Sequence, residues 1–300
     1  MNKVVNIGWK ALCTVWPQMA VKIQYKHILG GGKIDLKNPK DLNEKINYLK
    51  FHADLNEWAR LADKYAVREY VIERGLSDIL VPIYGKYNTP QELIADWNGL
   101  PKSFVVKANH GCGEIKIVRD KNTVDLRKLE EETTAWLKER FGRGTNEKHY
   151  LRIKPCLMVE QLLEDSTVAD FSRSLIDYKV WCFNGKPYCI FVGVDRDVEH
   201  TDGNHHVYFD VYDTNWNRIE NAMTGKTPLP DRTLAKPKNI ERLLECAAIL
   251  SKGQKQVRVD LYDIEGKIYF GEMTLTSQGG YMDYFTKDFL LEMGKQFVVK

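Results

Sequence analysis

Asn184-Gly185-Lys186-Pro187 separates two apolar, β-rich runs, Ile176 to Phe183 and Tyr188 to Val194. Asn-Gly is the strongest short-range hairpin signal, because both residues accept the left-handed backbone that a tight turn between twisted strands requires. A second hairpin is read over Val257–Tyr262 and Lys267–Thr274, joined by Asp263-Ile264-Glu265-Gly266. Opposed residue numbers in a hairpin sum to a near constant, so Asp260 falls opposite Glu272 or one position from it. Between the hairpins, Ile240, Leu243, Leu244, Ala247 and Ala248 share one stripe, which predicts a helix over 239–252. The second half of the chain is therefore a sheet with helical cover.

The first half alternates. Trp58, Leu61, Ala62, Tyr65, Ala66 and Ile72 recur at helical spacing from Asn56 to Gly75, where glycine supplies the stop. The apolar stretch 79–84 follows, and Thr89-Pro90 opens another helix with threonine as cap and proline in the first turn. Phe104 to Ala108, the turn Asn109-His110-Gly111-Cys112-Gly113 and Ile115 to Val118 read as strand, glycine loop, strand. A charged helix at about 125–140 and a mobile link at Gly142-Arg143-Gly144 lead to a strand at Leu157–Gln161. The fold class is α/β (α+β), with an N-terminal helical segment over 1–40 and one domain over 41–300.

Composition excludes several classes. With 43% hydrophobic and 28% charged residues the chain is globular, and a net charge of +3 from 44 basic and 41 acidic residues argues for no nucleic-acid partner. The six cysteines form no CxxC pair, which suits a reducing cytoplasm better than a zinc or redox site. No stretch reaches the roughly 20 apolar residues that span a bilayer, and Met1 is read as the start of a cytosolic chain. Residues 1–35 mix Trp9, Leu12, Val15, Trp16, Met19 and Ile23 with lysines and end at Gly30-Gly31-Gly32. They read either as helices packed on the body or as a basic amphipathic segment at a membrane or glycan-assembly partner.

Three patterns carry chemistry. Lys107 lies in an apolar strand immediately before a glycine loop, where an ammonium must meet an anion or snorkel to water. Asp260 and Glu272 bring two carboxylates together, which costs free energy unless a cation intervenes; magnesium suits such oxygen ligands, and a salt-bridged face using Arg258 or Lys267 is the alternative. Glu160-Gln161-Leu162-Leu163 ends a strand with backbone groups able to read an adenine edge. Asp177 and Lys179 alternate onto one face. Adjacent His205-His206 beside Asp202-Gly203-Asn204 point to opposite faces and make a poor metal site. Tyr281, Asp283 and Tyr284 read as an acceptor pocket or as core packing.

Taken in order, Asp63-Lys64, Val106-Lys107 before the glycine loop, Val159 to Leu163, Arg258-Val259-Asp260 and Gly271-Glu272-Met273-Thr274 resemble the successive ATP-site motifs of ATP-grasp enzymes. Phe104 to Gly111, Asp177 to Pro187 and Val257 to Tyr262 bring the resemblance closest to the TupA-like ATP-grasp family, named for teichuronopeptide biosynthesis, over about 40–290. The resemblance implies an ATP-grasp fold whose two α+β subdomains hold ATP between them, about 104–163 being a flexible ATP-lid subdomain and about 164–300 a C-terminal metal-binding and catalytic subdomain. Lys64, Lys107, His110, Gly111 and Gly113 would meet the nucleotide, Glu160, Gln161, Leu162 and Leu163 the adenine and its hinge, and Asp177 the ribose. Asp260 and Glu272 would carry Mg2+ with Thr274 as third ligand, where many relatives have asparagine. Lys179 and Arg258 would act on the transferred phosphate.

The implied activity is an ATP- and magnesium-dependent carboxylate–amine ligase that forms an amide through an acyl-phosphate. It would join an amino acid or amine to a uronic-acid carboxyl of a surface polysaccharide or its precursor. Such an enzyme is expected in the cytoplasm, with peripheral contact to membrane-bound glycan assembly machinery. The rivals are a glycosyltransferase of polysaccharide assembly, a non-catalytic ATP-binding protein and a sugar kinase.

Overall fold

The computed structural model describes residues 3–166, 172, 174–195, 207–225 and 234–300. Two sheets organise them. The first contains β1 (Ile83–Tyr87), β2 (Phe104–Ala108), β3 (Ile115–Val118) and β4 (Leu157–Glu160) in the order β1-β4-β2-β3. The second contains β5 (Asp177–Phe183), β6 (Lys186–Val194), β7 (Tyr208–Asp213), β8 (Gln256–Ile264) and β9 (Lys267–Thr274) in the order β7-β6-β5-β8-β9. The pairings between these strands are all antiparallel, so the architecture is α+β. The first sheet recruits β1, which lies ahead of residue 104, where its subdomain was expected to begin.

Both hairpins of the second sheet turn on residues at positive φ. Asn184 (51°) and Gly185 (77°) close β5 onto β6, and Glu265 (55°) and Gly266 (90°) close β8 onto β9. Alternation then sorts the strands. Val180, Val259 and Leu261 enter the main core, while Lys179 and Asp260 turn to the opposite face. In the first sheet Phe104, Val106, Leu157 and Val159 pack in a separate apolar cluster with Leu93 and Leu129.

The helices are α1 (Lys3–Val15), α2 (Pro17–Ile28), α3 (Leu42–His52), α4 (Leu55–Ala62), α5 (Val67–Glu73), α6 (Pro90–Ala95), α7 (Leu126–Lys138), α8 (Ile240–Ser251) and α9 (Lys287–Lys295). Side chains of Thr89, Asp125 and Asn239 cap α6, α7 and α8 by accepting first-turn amides. The periodic run from 56 to 75 forms two helices rather than one. Asp63 leaves the helical path and its carboxylate takes the amides of Tyr65 and Ala66 at 2.8 and 3.1 Å. Such local bonds give the backbone an alternative to helix, and here they project Lys64 from the break. Gly75 (φ 77°) ends α5 as expected.

One connection is tighter than the sequence suggests, and the N-terminal segment takes the packed arrangement that was one of its two readings. The link at Gly142-Arg143-Gly144 is a closed turn, with the Glu147 amide donating to Gly142 O at 2.9 Å and Trp9 Nε1 donating to Gly144 O at 2.8 Å. Gly142 stands at φ 80°, and a Cβ there would lie 2.5 Å from Glu147 O. The N-terminal helices pack on the body: Val21 and Tyr25 share a buried cluster with Ile34 and Tyr281.

Candidate active site

A cavity of about 880 Å³ lies between the two sheets. The first sheet contributes Val105 and Lys107 from β2, Ile115 and Ile117 from β3, and Glu160 from β4; the second contributes Asp177, Lys179, Asp260 and Glu272. Lys64 enters from the α4–α5 break, and Gly113, Gln161, Leu162 and Leu163 come from loops at the rim. Segments as far apart in the chain as Lys64 and Glu272 thus meet on one surface.

Register accounts for the charged wall. Lys179 pairs with Asp260 across β5 and β8, and Asp260 pairs with Glu272 across β8 and β9, so the three form one cross-strand row. Arg258 and Thr274 form the next row. The opposition of Asp260 and Glu272 is the register expected from the hairpin, but a bulge sets it. Asp260 faces Glu272 while Leu261 faces Phe270, leaving Gly271 as the extra residue. That single insertion lets Ile268 and Phe270 join the core and still turns Glu272 and Thr274 toward the charged face.

The cation between the carboxylates is a guanidinium. Arg258 holds Asp260 through Nε to Oδ1 and Nη2 to Oδ2, both at 2.7 Å, and its Nη2 lies 3.4 Å from Glu272 Oε1. Lys179 Nζ adds a 2.7 Å bond to Asp260 Oδ2 and stands 3.3 Å from Asp177. Burial works against the Asp260 charge, but Arg258 and Lys179 outweigh it and hold the carboxyl down at about 2. The same pairing raises the Arg258 pKa despite its burial. Lys267 takes no part; its ammonium sits over the Tyr269 ring.

The opposite wall carries a second ionic group. Lys107 Nζ donates to Glu160 Oε2 at 2.6 Å, so this strand lysine is paired across the sheet rather than extended to water. Arg68 Nη1 reaches the other Glu160 oxygen at 3.5 Å. Lys64 Nζ donates to Gly111 O at 2.7 Å and stands 3.8 Å from Glu272. Gly111 and Gly113, at φ 82° and 99°, give the loop its left-handed corners. The Gln161 amide is spent on Pro82 O at 2.9 Å.

Not every predicted residue lines the cavity. His110 is buried beneath the loop with Nε2 3.2 Å from Glu139 O. Arg258 and Thr274 stand behind the carboxylates, Arg258 Nη1 donating to Ser277 Oγ at 2.7 Å and Nη2 to Thr274 Oγ1 at 3.1 Å. Tyr281 is 1% exposed and packs edge-on to Tyr25, and Tyr284 stacks on Phe191. The Asp202–His206 group lies outside the described residues. Sequence reasoning passed over Arg68 and Ser277. Arg68 stands four residues after Lys64, a spacing that puts side chains on one face of a helix, and that was the available signal.

A profile of the family described as TupA-like ATPgrasp matches residues 44–298. The chain belongs to the TupA-like ATP-grasp family. Solved structures similar to this TupA-like chain include D-alanine–D-alanine ligase from Bacillus anthracis complexed with ATP, at 17% identity over 79% of this chain and 66% of that one, TM-score 0.47. D-alanine–D-alanine ligase from Helicobacter pylori gives 15% over 86% and 69%, TM-score 0.44. L-amino acid ligase from Bacillus licheniformis gives 14% over 75% and 43%, TM-score 0.41. The chain thus spans just under two thirds of the Bacillus anthracis ligase. No curated protein matches the sequence.

Membership of the TupA-like ATP-grasp family implies magnesium, and the donor set can be tested against it. Among the described residues no three His, Cys, Asp or Glu side chains cluster as a metal site. Magnesium needs only one or two protein carboxylates when phosphate oxygens and water complete its octahedron. Asp260 and Glu272 fit that requirement. Glu272, with its side chain 39% exposed, is the accessible donor, whereas both Asp260 oxygens also carry cationic partners. The Thr274 hydroxyl donates to Glu272 Oε1 at 3.0 Å and accepts from Arg258, which engages it within the wall.

Proposed function

We propose that this chain is an ATP-dependent carboxylate–amine ligase that joins an amino acid or related amine to a uronic-acid carboxyl in surface-polysaccharide biosynthesis. The observation that carries the reading is the charged row Lys179–Asp260–Glu272, backed by Arg258, facing Lys107 and Lys64 across a cavity with apolar Val105, Ile115 and Ile117 beside it. Apolar walls suit an adenine ring, and converging cations suit a polyphosphate. The ligase chemistry comes from the ATP-grasp family, and the uronic acid from the polysaccharide context of the TupA-like branch.

In the proposed reaction a carboxylate oxygen attacks the γ-phosphorus of ATP, the bond to the β-phosphate oxygen breaks, and ADP leaves an acyl-phosphate. The amine nitrogen then attacks the acyl carbon, phosphate departs with the carbon–oxygen electron pair, and the nitrogen loses its proton as the amide forms. Lys64 and Lys107 hold the phosphates, Lys179 at the cavity wall and Arg258 from behind the carboxylates offset negative charge as it builds on the transferred group, and the loop at Gly111–Gly113 limits water that would hydrolyse the acyl-phosphate. Magnesium held by Asp260 and Glu272 would supply charge neutralisation between the phosphates. The test is ADP release measured across a panel of uronic acids paired with amino acids, with the product identified by mass. A product of summed mass less water supports the ligase. A phosphorylated sugar as the end product would identify a kinase, and binding of ATP without turnover on any pair would leave a nucleotide-binding scaffold.

A further inference from the structure

The first two helices carry a surface that the nucleotide site does not use. Packing of Val21 and Tyr25 against Ile34 and Tyr281, with Trp9 bonded to Gly144, determines which side of this pair faces outward. That side is apolar: Trp16 is 65% exposed, Met19 54% and Ile23 46%. Their spacing of three and four residues lays them along one stripe, with exposed Val15 at its start. Lys22 and Lys26, both exposed, run beside it one helical turn apart. Residues 1–34 contain five lysines and no aspartate or glutamate, although the whole chain is nearly balanced at 44 basic to 41 acidic.

An apolar stripe alone is equally suited to a protein partner or a second copy. Flanking lysines with no acidic residue among them, and a tryptophan at the stripe's edge, select a different occupant, because anionic headgroups attract lysine and the headgroup boundary accepts an amphipathic indole. No helix among the described residues is long and apolar enough to cross a membrane, so contact of these helices would be with its surface. We propose that the outward face of α2, together with the end of α1 at Val15, docks the protein on an anionic lipid bilayer, with Trp16, Met19 and Ile23 entering the interface and Lys22 and Lys26 meeting the headgroups. This inference is independent of the ligase reading.

The experiment is co-sedimentation of the full chain with vesicles of pure phosphatidylcholine and with vesicles in which about one lipid in three is phosphatidylglycerol. Binding to the anionic vesicles is expected to be more than about tenfold tighter. Two variants separate the contributions, a triple Trp16→Ser, Met19→Ser, Ile23→Ser and a double Lys22→Glu, Lys26→Glu. Each is expected to weaken binding more than about tenfold while leaving the melting temperature and any vesicle-free nucleotide turnover unchanged, because the altered side chains are exposed and distant in sequence from the cavity residues. Equal affinity for neutral and anionic vesicles, or wild-type affinity in both variants, would overturn the proposal. A concentration-dependent dimer in analytical ultracentrifugation that Trp16→Ser dissolves would also overturn it, by assigning the face to a second copy.

Discussion

At Asp260 a buried carboxylate is neutralised by a forked guanidinium and an ammonium. Read from sequence, Asp260 and Glu272 form either a like-charge pair that waits for a metal, and is relieved by removing one charge, or a face salt-bridged by Arg258 or Lys267. At Asp260 the tertiary structure has the salt bridge, since Arg258 and Lys179 stabilise the carboxylate. Asp260→Asn is therefore expected to cost the ligand-free protein about 3 kcal/mol, the scale for removing one partner of a buried ion pair. The pH dependence follows from the direction of the shift. A carboxyl held at about 2 when folded and near 4 when unfolded contributes about 2.5 kcal/mol that is present above pH ~4 and lost as pH falls toward 2. Urea unfolding from pH 5 downward checks both effects: the wild type should weaken through this window and Asp260→Asn should follow a flatter course. A variant as stable as the wild type at pH 6 would mean that the guanidinium does not hold the carboxylate as drawn.

Among the elements, the hairpin of β8 and β9 does most to shape the cavity wall, and its bulge is the critical detail. A regular strand would place Ile268, Phe270, Glu272 and Thr274 on one face, mixing core residues with the charged wall; the unpaired Gly271 switches the parity between Phe270 and Glu272. Glycine is required there by close approach, since a Cβ would stand 3.0 Å from the backbone oxygen of Asp260. Gly271→Val, ordinarily a favourable change in a strand, is expected instead to destabilise by about 1–3 kcal/mol through overpacking. It should also reduce ADP formation strongly, because Glu272 is re-aimed. Thermal unfolding with a matched turnover assay measures both, and unaltered values would show that the strands can separate here without consequence.

For the molecule as a whole, the nucleotide is proposed to bridge the two sheets, whose apolar clusters are separate. A ligand that binds only the folded chain stabilises it by about 2.7 kcal/mol at a hundredfold excess over Kd, or several degrees in melting temperature for a chain of this size. ATP with magnesium is expected to produce that shift and a uridine sugar nucleotide to produce none. The reverse pattern would remove the ligase reading and restore a glycosyltransferase.

The hairpins, the capped helices and the glycine loop were legible in the sequence because each depends on neighbours within a few residues: a positive-φ pair, a cap three residues from its amide, alternation along a strand. The same local rules predicted that Asp260 and Glu272 would meet. The break that projects Lys64 was hidden, since the local sequence is compatible both with continued helix and with an Asp63 turn, and the bond from the Lys64 amide to Asn109 O, at 2.9 Å, favours the turn only after folding. The bulge was hidden because pairing register depends on which side of β9 the core accepts. Arg258, two residues before Asp260 on the same strand, was legible as one possible partner of the carboxylates, whereas the second cation, Lys179, and the seat of His110 depended on segments far apart in the chain. Sequence determined which groups carry charge and which local turns form; tertiary packing decided which charges neutralise one another, because in a buried site that depends on distances between strands that no local pattern specifies.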